Sequence, residues 1–170
     1  RLSKNFFSEI QKKKLRKKIG YKFNIYNKLN KKVIYEDLYP SKLLLFDINK
    51  NFFQHDGHKE KLIFKGRTEK LRSYIIHHDR KNYKTWILNQ ERYATIEAEK
   101  IFKTNFKFLS TPDKIRKLIF FMNIASLLYY FFYKKLFKYG FSGFTYVLQR
   151  QIYEIKLTIK LFNIMFLKWI

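Results

Sequence analysis

Two histidines, a carboxylate and two cations stand side by side at His77-His78-Asp79-Arg80-Lys81, and Trp86, Gln90, Arg92, Tyr93, Glu97 and Ala98 follow closely. A stretch kept only for packing rarely gathers so many unlike polar groups. Arg80 and Lys81 suit phosphate, and the arginine can offer two parallel donors to one anion. Adjacent histidines on a strand point to opposite faces, so His77 and His78 make a poor joint metal site. One is expected to pack inward while the other, assigned as His78, faces a cleft. Asp79 has the character of a helix cap. On a helix over 83–104, Trp86, Gln90, Tyr93 and Glu97 share one face, with Arg92 beside it. Core packing competes as the role of Trp86 and Tyr93, and is expected to hold for at least one of them.

A second constellation lies upstream at Gln54-His55-Asp56-Gly57-His58. Gly57 permits a tight turn that exposes its neighbours at a strand end. A plain hairpin turn built on a favoured Asp-Gly pair is the competing reading. Leu38-Tyr39-Pro40-Ser41-Lys42 comes before it, and Lys138-Tyr139-Gly140-Phe141-Ser142-Gly143-Phe144 forms a glycine corner near the end. In this order the segments resemble the C-terminal half of bacterial family 2 glycosyltransferases, in the branch that builds lipopolysaccharide and other surface polysaccharides. The resemblance covers most of the chain from about Gly20 onward. The corner lacks that family's usual Leu-Asp, and Lys59-Glu60 stands where Thr-Gln is commoner.

The resemblance implies a GT-A-type enzyme that moves a sugar from a nucleotide-sugar donor to a lipid-linked or polysaccharide acceptor in cell-envelope glycan synthesis. Such chemistry needs a carboxylate to take the acceptor hydroxyl's proton and positive charge to stabilise the leaving diphosphate. Asp56 is assigned as the catalytic base and His58 as a metal ligand or a donor to the diphosphate. His78, Arg80, Lys81, Trp86, Gln90, Arg92 and Tyr93 are assigned to phosphate or acceptor. Gln90-x-Arg92-Tyr93 resembles the Q-x-x-R-W acceptor motif at a shorter spacing. A divalent cation, Mg or Mn, is implied. Its main ligands are expected in an N-terminal nucleotide-sugar half, since no D-x-D, D-x-E or E-x-D triplet and no G-x-G-x-x-G occurs here. The chain therefore reads as a C-terminal fragment, inactive by itself.

Composition frames these assignments. The formal net charge of +24 would ordinarily point to a polyanion, either nucleic acid or an anionic membrane. The charge is spread along a chain rich in Lys, Asn, Ile, Phe and Tyr, a profile that AT-rich coding produces in any protein, although Lys12–Lys18 is a local cluster. No RNA-binding or zinc signature accompanies it, so nucleic acid is not the expected partner. A non-enzymatic membrane anchor is a further alternative, but it would not need the two histidine-containing segments. Cysteine is absent, which removes disulfides and thiolate metal sites.

The elements that must position these residues read as α+β: short, mostly antiparallel strands followed by three long helices. A first helix over 2–19 is expected to end at Gly20. A hairpin follows, with strands 21–26 and 33–35 around a turn at Asn27–Asn30. Strands at 42–46, 51–55 and 61–65 come next, then helices over 83–104, 113–138 and 144–168. Ser110 or Thr111 should cap the middle helix, with Pro112 at its first position. This divides the chain into 1–81, the acceptor-side strands, and 82–170, a helical membrane-associating region. The run from Leu118 to Tyr133 is too short to cross a bilayer. On the last helix, Leu148, Ile152, Ile155, Ile159, Phe162 and Phe166 mark an apolar face beside Gln149, Arg150, Glu154, Lys156, Lys160 and Asn163. Peripheral, monotopic attachment to the cytoplasmic face of the inner membrane is expected, with Lys117, Lys134, Lys135 and Lys138 near the headgroups. Core packing or an oligomer interface is the alternative for these helices.

Overall fold

The computed structural model describes residues 1–13, 19–56 and 59–166. The fold is α+β and divides into two compact units. One takes Arg1–Asp56 with Glu60–Asp79, and the other takes Gly57–Lys59 with Arg80–Ile170.

The first unit is built on β1 (Ile19–Leu29). Along one edge β1 pairs antiparallel with β2 (Lys32–Ile34) near its end and with β3 (Lys42–Leu45) near its start. The longest pairing is parallel, to β6 (Arg67–His77) on the other edge. The short antiparallel strands read from the sequence are present, but the parallel strand was not foreseen. A parallel partner must return through a long connection, and local pattern carries no record of it. The β1–β2 turn is tighter than the expected Asn27–Asn30. Asn30 and Lys31 both adopt positive φ, +46° and +67°, the geometry of a two-residue hairpin whose twist matches its strands.

Helix α1 (Phe6–Lys13) lays Phe6 on Phe23, ring centroids 5.3 Å apart, and closes a core of Ile19, Tyr21 and Leu71. The expected helix over 2–19 is corrected at both ends. Leu2 pairs with Ile75 as an edge bridge, and Gly20 lies inside β1, where it caps nothing. A Cβ at Gly20 would stand 2.7 Å from the Leu43 side chain and 2.8 Å from the Phe64 ring, so the position is kept bare by packing. Most of the Lys12–Lys18 cluster lies outside the described residues. Strand β6 carries two residues more than β1 between the Lys22–Lys70 and Asn24–Tyr74 pairs. At this bulge the amides of Arg72 and Ser73 both donate to the Glu9 carboxylate, at 2.9 and 2.8 Å. Burial works against the charged form of Glu9. Hydrogen bonds from Ser73 and the Arg72 amide outweigh it and hold the carboxyl below its ordinary range. Strands β4 (Phe52–Asp56) and β5 (Lys59–Ile63) form a separate two-stranded ribbon.

The second unit is helical. Helix α2 (Tyr83–Lys103) packs Ala94, Ala98 and Ile101 against Tyr153, Leu157 and Leu161 of α5 (Phe141–Phe166), with Leu109 and Ile119 closing the cluster. Ser110 caps α3 (Thr111–Lys117) by accepting from the Asp113 amide, and Pro112 sits in its first turn. The single helix expected over 113–138 is broken into α3, α4 (Phe121–Leu128), a wide π-type turn at Tyr129–Tyr133 and a tight turn at Leu136–Tyr139. The breaks fall where Ile119 and Lys135 take positive φ, +58° and +52°, which ends a right-handed helix. The glycine corner is a close approach. Gly140 has φ +56°, and a Cβ at Gly143 would lie 1.9 Å from the Leu136 carbonyl oxygen.

Helix α5 turns inward the side opposite its apolar stripe. Tyr146, Val147, Tyr153, Glu154, Leu157, Thr158 and Leu161 are buried. Leu148, Ile155, Ile159, Phe162 and Phe166, from the apolar face read in the sequence, are exposed and continue a stripe begun by Phe141 and Phe144.

Candidate functional site

Strand β6 ends at His77, opposite Asn27 of β1, and the chain passes through His78–Lys81 into α2. Residues His77, His78, Asp79, Arg80 and Lys81 are all exposed. The expectation that one histidine packs inward is corrected: the buried positions of β6 are Leu71 and Ser73, and no core lies under its last residue. Asp79 does not cap the helix. Asn82 does, its Oδ1 accepting from the Thr85 amide at 2.8 Å. Arg80 and Lys81 thus sit just ahead of a capped helix start, whose partial positive charge adds to theirs toward an anion.

The first turn of α2 carries an aromatic pair. The Tyr83 and Trp86 rings stack with centroids 5.9 Å apart and planes 23° from parallel. Tyr83 is 68% exposed and Trp86 is half-buried. Further along the same helix Gln90 is half-buried, Arg92 is exposed and Tyr93 packs against the helical core. The face ends at Glu97, which is buried and pairs with Lys100 at 3.4 Å. Core packing therefore claims Tyr93 and Glu97, while Trp86 remains partly open.

Asp56 closes β4 and is exposed. His58 lies outside the described residues, so the expected Asp56–His58 pair is not defined. Asp56 belongs to the first unit, and Trp86, Gln90, Arg92 and Tyr93 belong to the second. Among the described residues no three His, Cys, Asp or Glu side chains converge to hold a metal ion. Asp56 with its described neighbours does not make a divalent-cation site, and no step is assigned to a metal here.

The densest ionic chemistry was missed from the sequence. Arg116 donates from Nε and Nη2 to the two carboxylate oxygens of Glu154, at 3.0 and 2.7 Å, and from Nη1 to Asp113 at 2.6 Å. Arg150 reaches the same Glu154 at 2.8 Å and lies over the Tyr130 and Tyr153 rings. Glu154, read from the sequence only as a neighbour of the apolar stripe, is 1% exposed. Burial alone would lower the Arg116 pKa, but the Glu154 and Asp113 carboxylates drive it above its ordinary range. Burial pushes the Tyr153 phenol up. The one available signal was a lone glutamate, the only carboxylate of α5, four residues after Arg150. Lys156 and Lys160, read from the sequence beside the apolar face, both grip Glu91 at 2.6 Å. Their hydrogen bonds pull the Glu91 carboxyl down to about 2. These ion pairs across elements fasten α2 and α3 to α5, although the buried Nε of Arg150 has no hydrogen-bond partner.

No protein-family model, curated protein or solved structure matches the chain.

Proposed function

We propose that this chain is the acceptor-side part of a sugar-transferring enzyme of the family 2 type. Its exposed β6–α2 connection would hold the diphosphate of a nucleotide-sugar, and the Tyr83–Trp86 pair would bear against a sugar ring. One observation carries the reading. Two cations, Arg80 and Lys81, come in sequence directly before a helix whose capped first turn carries a stacked aromatic pair. Arg80 supplies a planar fork for phosphate oxygens and Lys81 a second charge. Aromatic faces suit the apolar face of a pyranose while its hydroxyls remain free for Gln90 and Arg92. Asp56 is the proposed base. As the acceptor oxygen bonds to the anomeric carbon, the carboxylate takes its proton and the diphosphate leaves with the electrons of the broken C–O bond. The order of the motifs along the chain supports the same assignment.

The test is binding of a nucleoside diphosphate to the chain by isothermal titration or by NMR shifts. Saturable binding that falls at least about tenfold in Arg80→Ala, with shifts centred on residues 78–86, is the expected result. Binding that ignores Arg80 and Lys81 substitutions would overturn the assignment.

A further inference from the structure

We propose that the α4–α5 hairpin docks on an anionic lipid surface, lying in the headgroup boundary without crossing the bilayer. The inference does not depend on the sugar-transfer reading.

The two helices run antiparallel, fastened by the Asn123 amide donating to Thr158 Oγ1 at 3.1 Å and by Tyr130 packing edge-on against Tyr146. What they fasten inward is polar and aromatic, and what they leave outward is apolar. Phe121, Ile124 and Phe132 are exposed on one arm, and Phe141, Ile155 and Ile159 on the other. Exposed apolar surface on this scale, continuous along a 26-residue helix, marks a docking face and not scattered surface residues.

Charge selects the occupant. Between Asp113 and Glu154 the chain has no carboxylate, and Lys134, Lys135 and Lys138 cluster at the turn joining the arms. Lys134 lies over the Tyr129 and Tyr133 rings, a cation on the aromatic pair that suits the headgroup level. Lys117, expected at the headgroups, donates instead to the Thr104 carbonyl at 3.2 Å. A second copy would bring the same cations against their like on a chain of net charge +24, whereas anionic phosphates neutralise them. Among the described residues no helix is long and apolar enough to span a membrane, so the face lies along the surface.

The test is flotation of the 170-residue chain with phosphatidylcholine vesicles and with vesicles of about 3:1 phosphatidylcholine to phosphatidylglycerol. Each lysine near the surface is worth about fivefold in partitioning, so the three together predict a gain on the order of 100-fold with the anionic lipid. About 0.5 M salt should remove much of that gain and leave a residual apolar component. Phe132 and Phe141 are 59% and 75% exposed, so Phe132→Ser with Phe141→Ser should keep the native circular dichroism and lose at least about tenfold in binding. Binding that survives this double change, or that salt abolishes completely, would overturn the proposal. So would a chain that ignores vesicles and sediments as a dimer which the same two changes dissociate.

Discussion

Arg116 and Glu154, 38 residues apart in sequence, meet through two parallel hydrogen bonds in the interior of the helical unit. The pair ties α3 to α5, and Asp113 and Arg150 complete the charge balance around it. Two planar groups matched fork to fork satisfy each other where neither could be solvated.

Breaking that pair from one side should be costly. Glu154→Leu leaves the largely buried Arg116 with Asp113 alone and removes the carboxylate that Arg150 meets, and is expected to destabilise the chain by about 3 kcal/mol. Adding Arg116→Met to it should recover part of the loss, because the underpaired guanidinium is gone. Urea unfolding of the wild type and the two variants checks both statements, and a double variant weaker than Glu154→Leu alone would contradict the second.

Acid should loosen the α2–α5 contact at Glu91. Its carboxyl is held down to about 2 by hydrogen bonds from Lys156 and Lys160, below the value it has in an unfolded chain. A depressed carboxylate stabilises the fold above its unfolded pKa, and the contribution is lost as pH falls from about 4.5 toward 2. Glu91 is 40% exposed, so solvent screens the interaction and Glu91→Gln should cost less than about 1 kcal/mol at neutral pH. Thermal melts of both proteins from pH 7 to pH 2 should converge at the acid end.

Gly143→Ala reverses the usual helix rule. In an open helix this change would stabilise by about 1 kcal/mol. Here the new methyl meets the Leu136 carbonyl at 1.9 Å, and neither backbone can yield easily. We expect destabilisation of at least about 2 kcal/mol, read from the unfolding midpoint. A neutral substitution would mean that the corner is looser than described.

For the proposed chemistry, Asp56→Asn in the transferring enzyme should reduce turnover at least about 100-fold while leaving donor affinity unchanged, since a base acts only in the reacting step. Arg80→Lys should lose donor affinity nearly as much as Arg80→Ala, because lysine keeps the charge and loses the fork. Steady-state kinetics with titration of a nucleoside diphosphate separates the two effects. Near-normal turnover in Asp56→Asn would remove that residue from the mechanism.

The sequence announced what is decided locally. Ser110 and Pro112 start a helix because a hydroxyl and a ring without an N–H suit its first turn. The passage from strand to helix was marked by the shift from Ile75-Ile76 to His77-His78-Asp79-Arg80, but the exposure of both histidines was not. What depended on distant partners stayed hidden. The parallel β1–β6 pairing joins segments tens of residues apart, and the positive φ values of Ile119 and Lys135 come from packing, not from residue type. The direction of α5 was hidden for a third reason. Its apolar stripe obeys helical spacing, but spacing does not say which face turns inward, and the face that does carries Glu154.

The Glu9 carboxylate on the two bulge amides of β6 bears on whether another chain could pair along this strand edge. An open strand edge is a template on which another chain can add itself, row by row. The first residues block that growth twice: Arg1, Leu2 and Ser3 occupy the upper part of the edge, and Glu9 plugs its two adjacent donors with a charge that no incoming strand could displace cheaply. A single change, Glu9→Ala, would keep Phe6 in the core and remove only the stopper, and the failure should show as fibrils or turbidity.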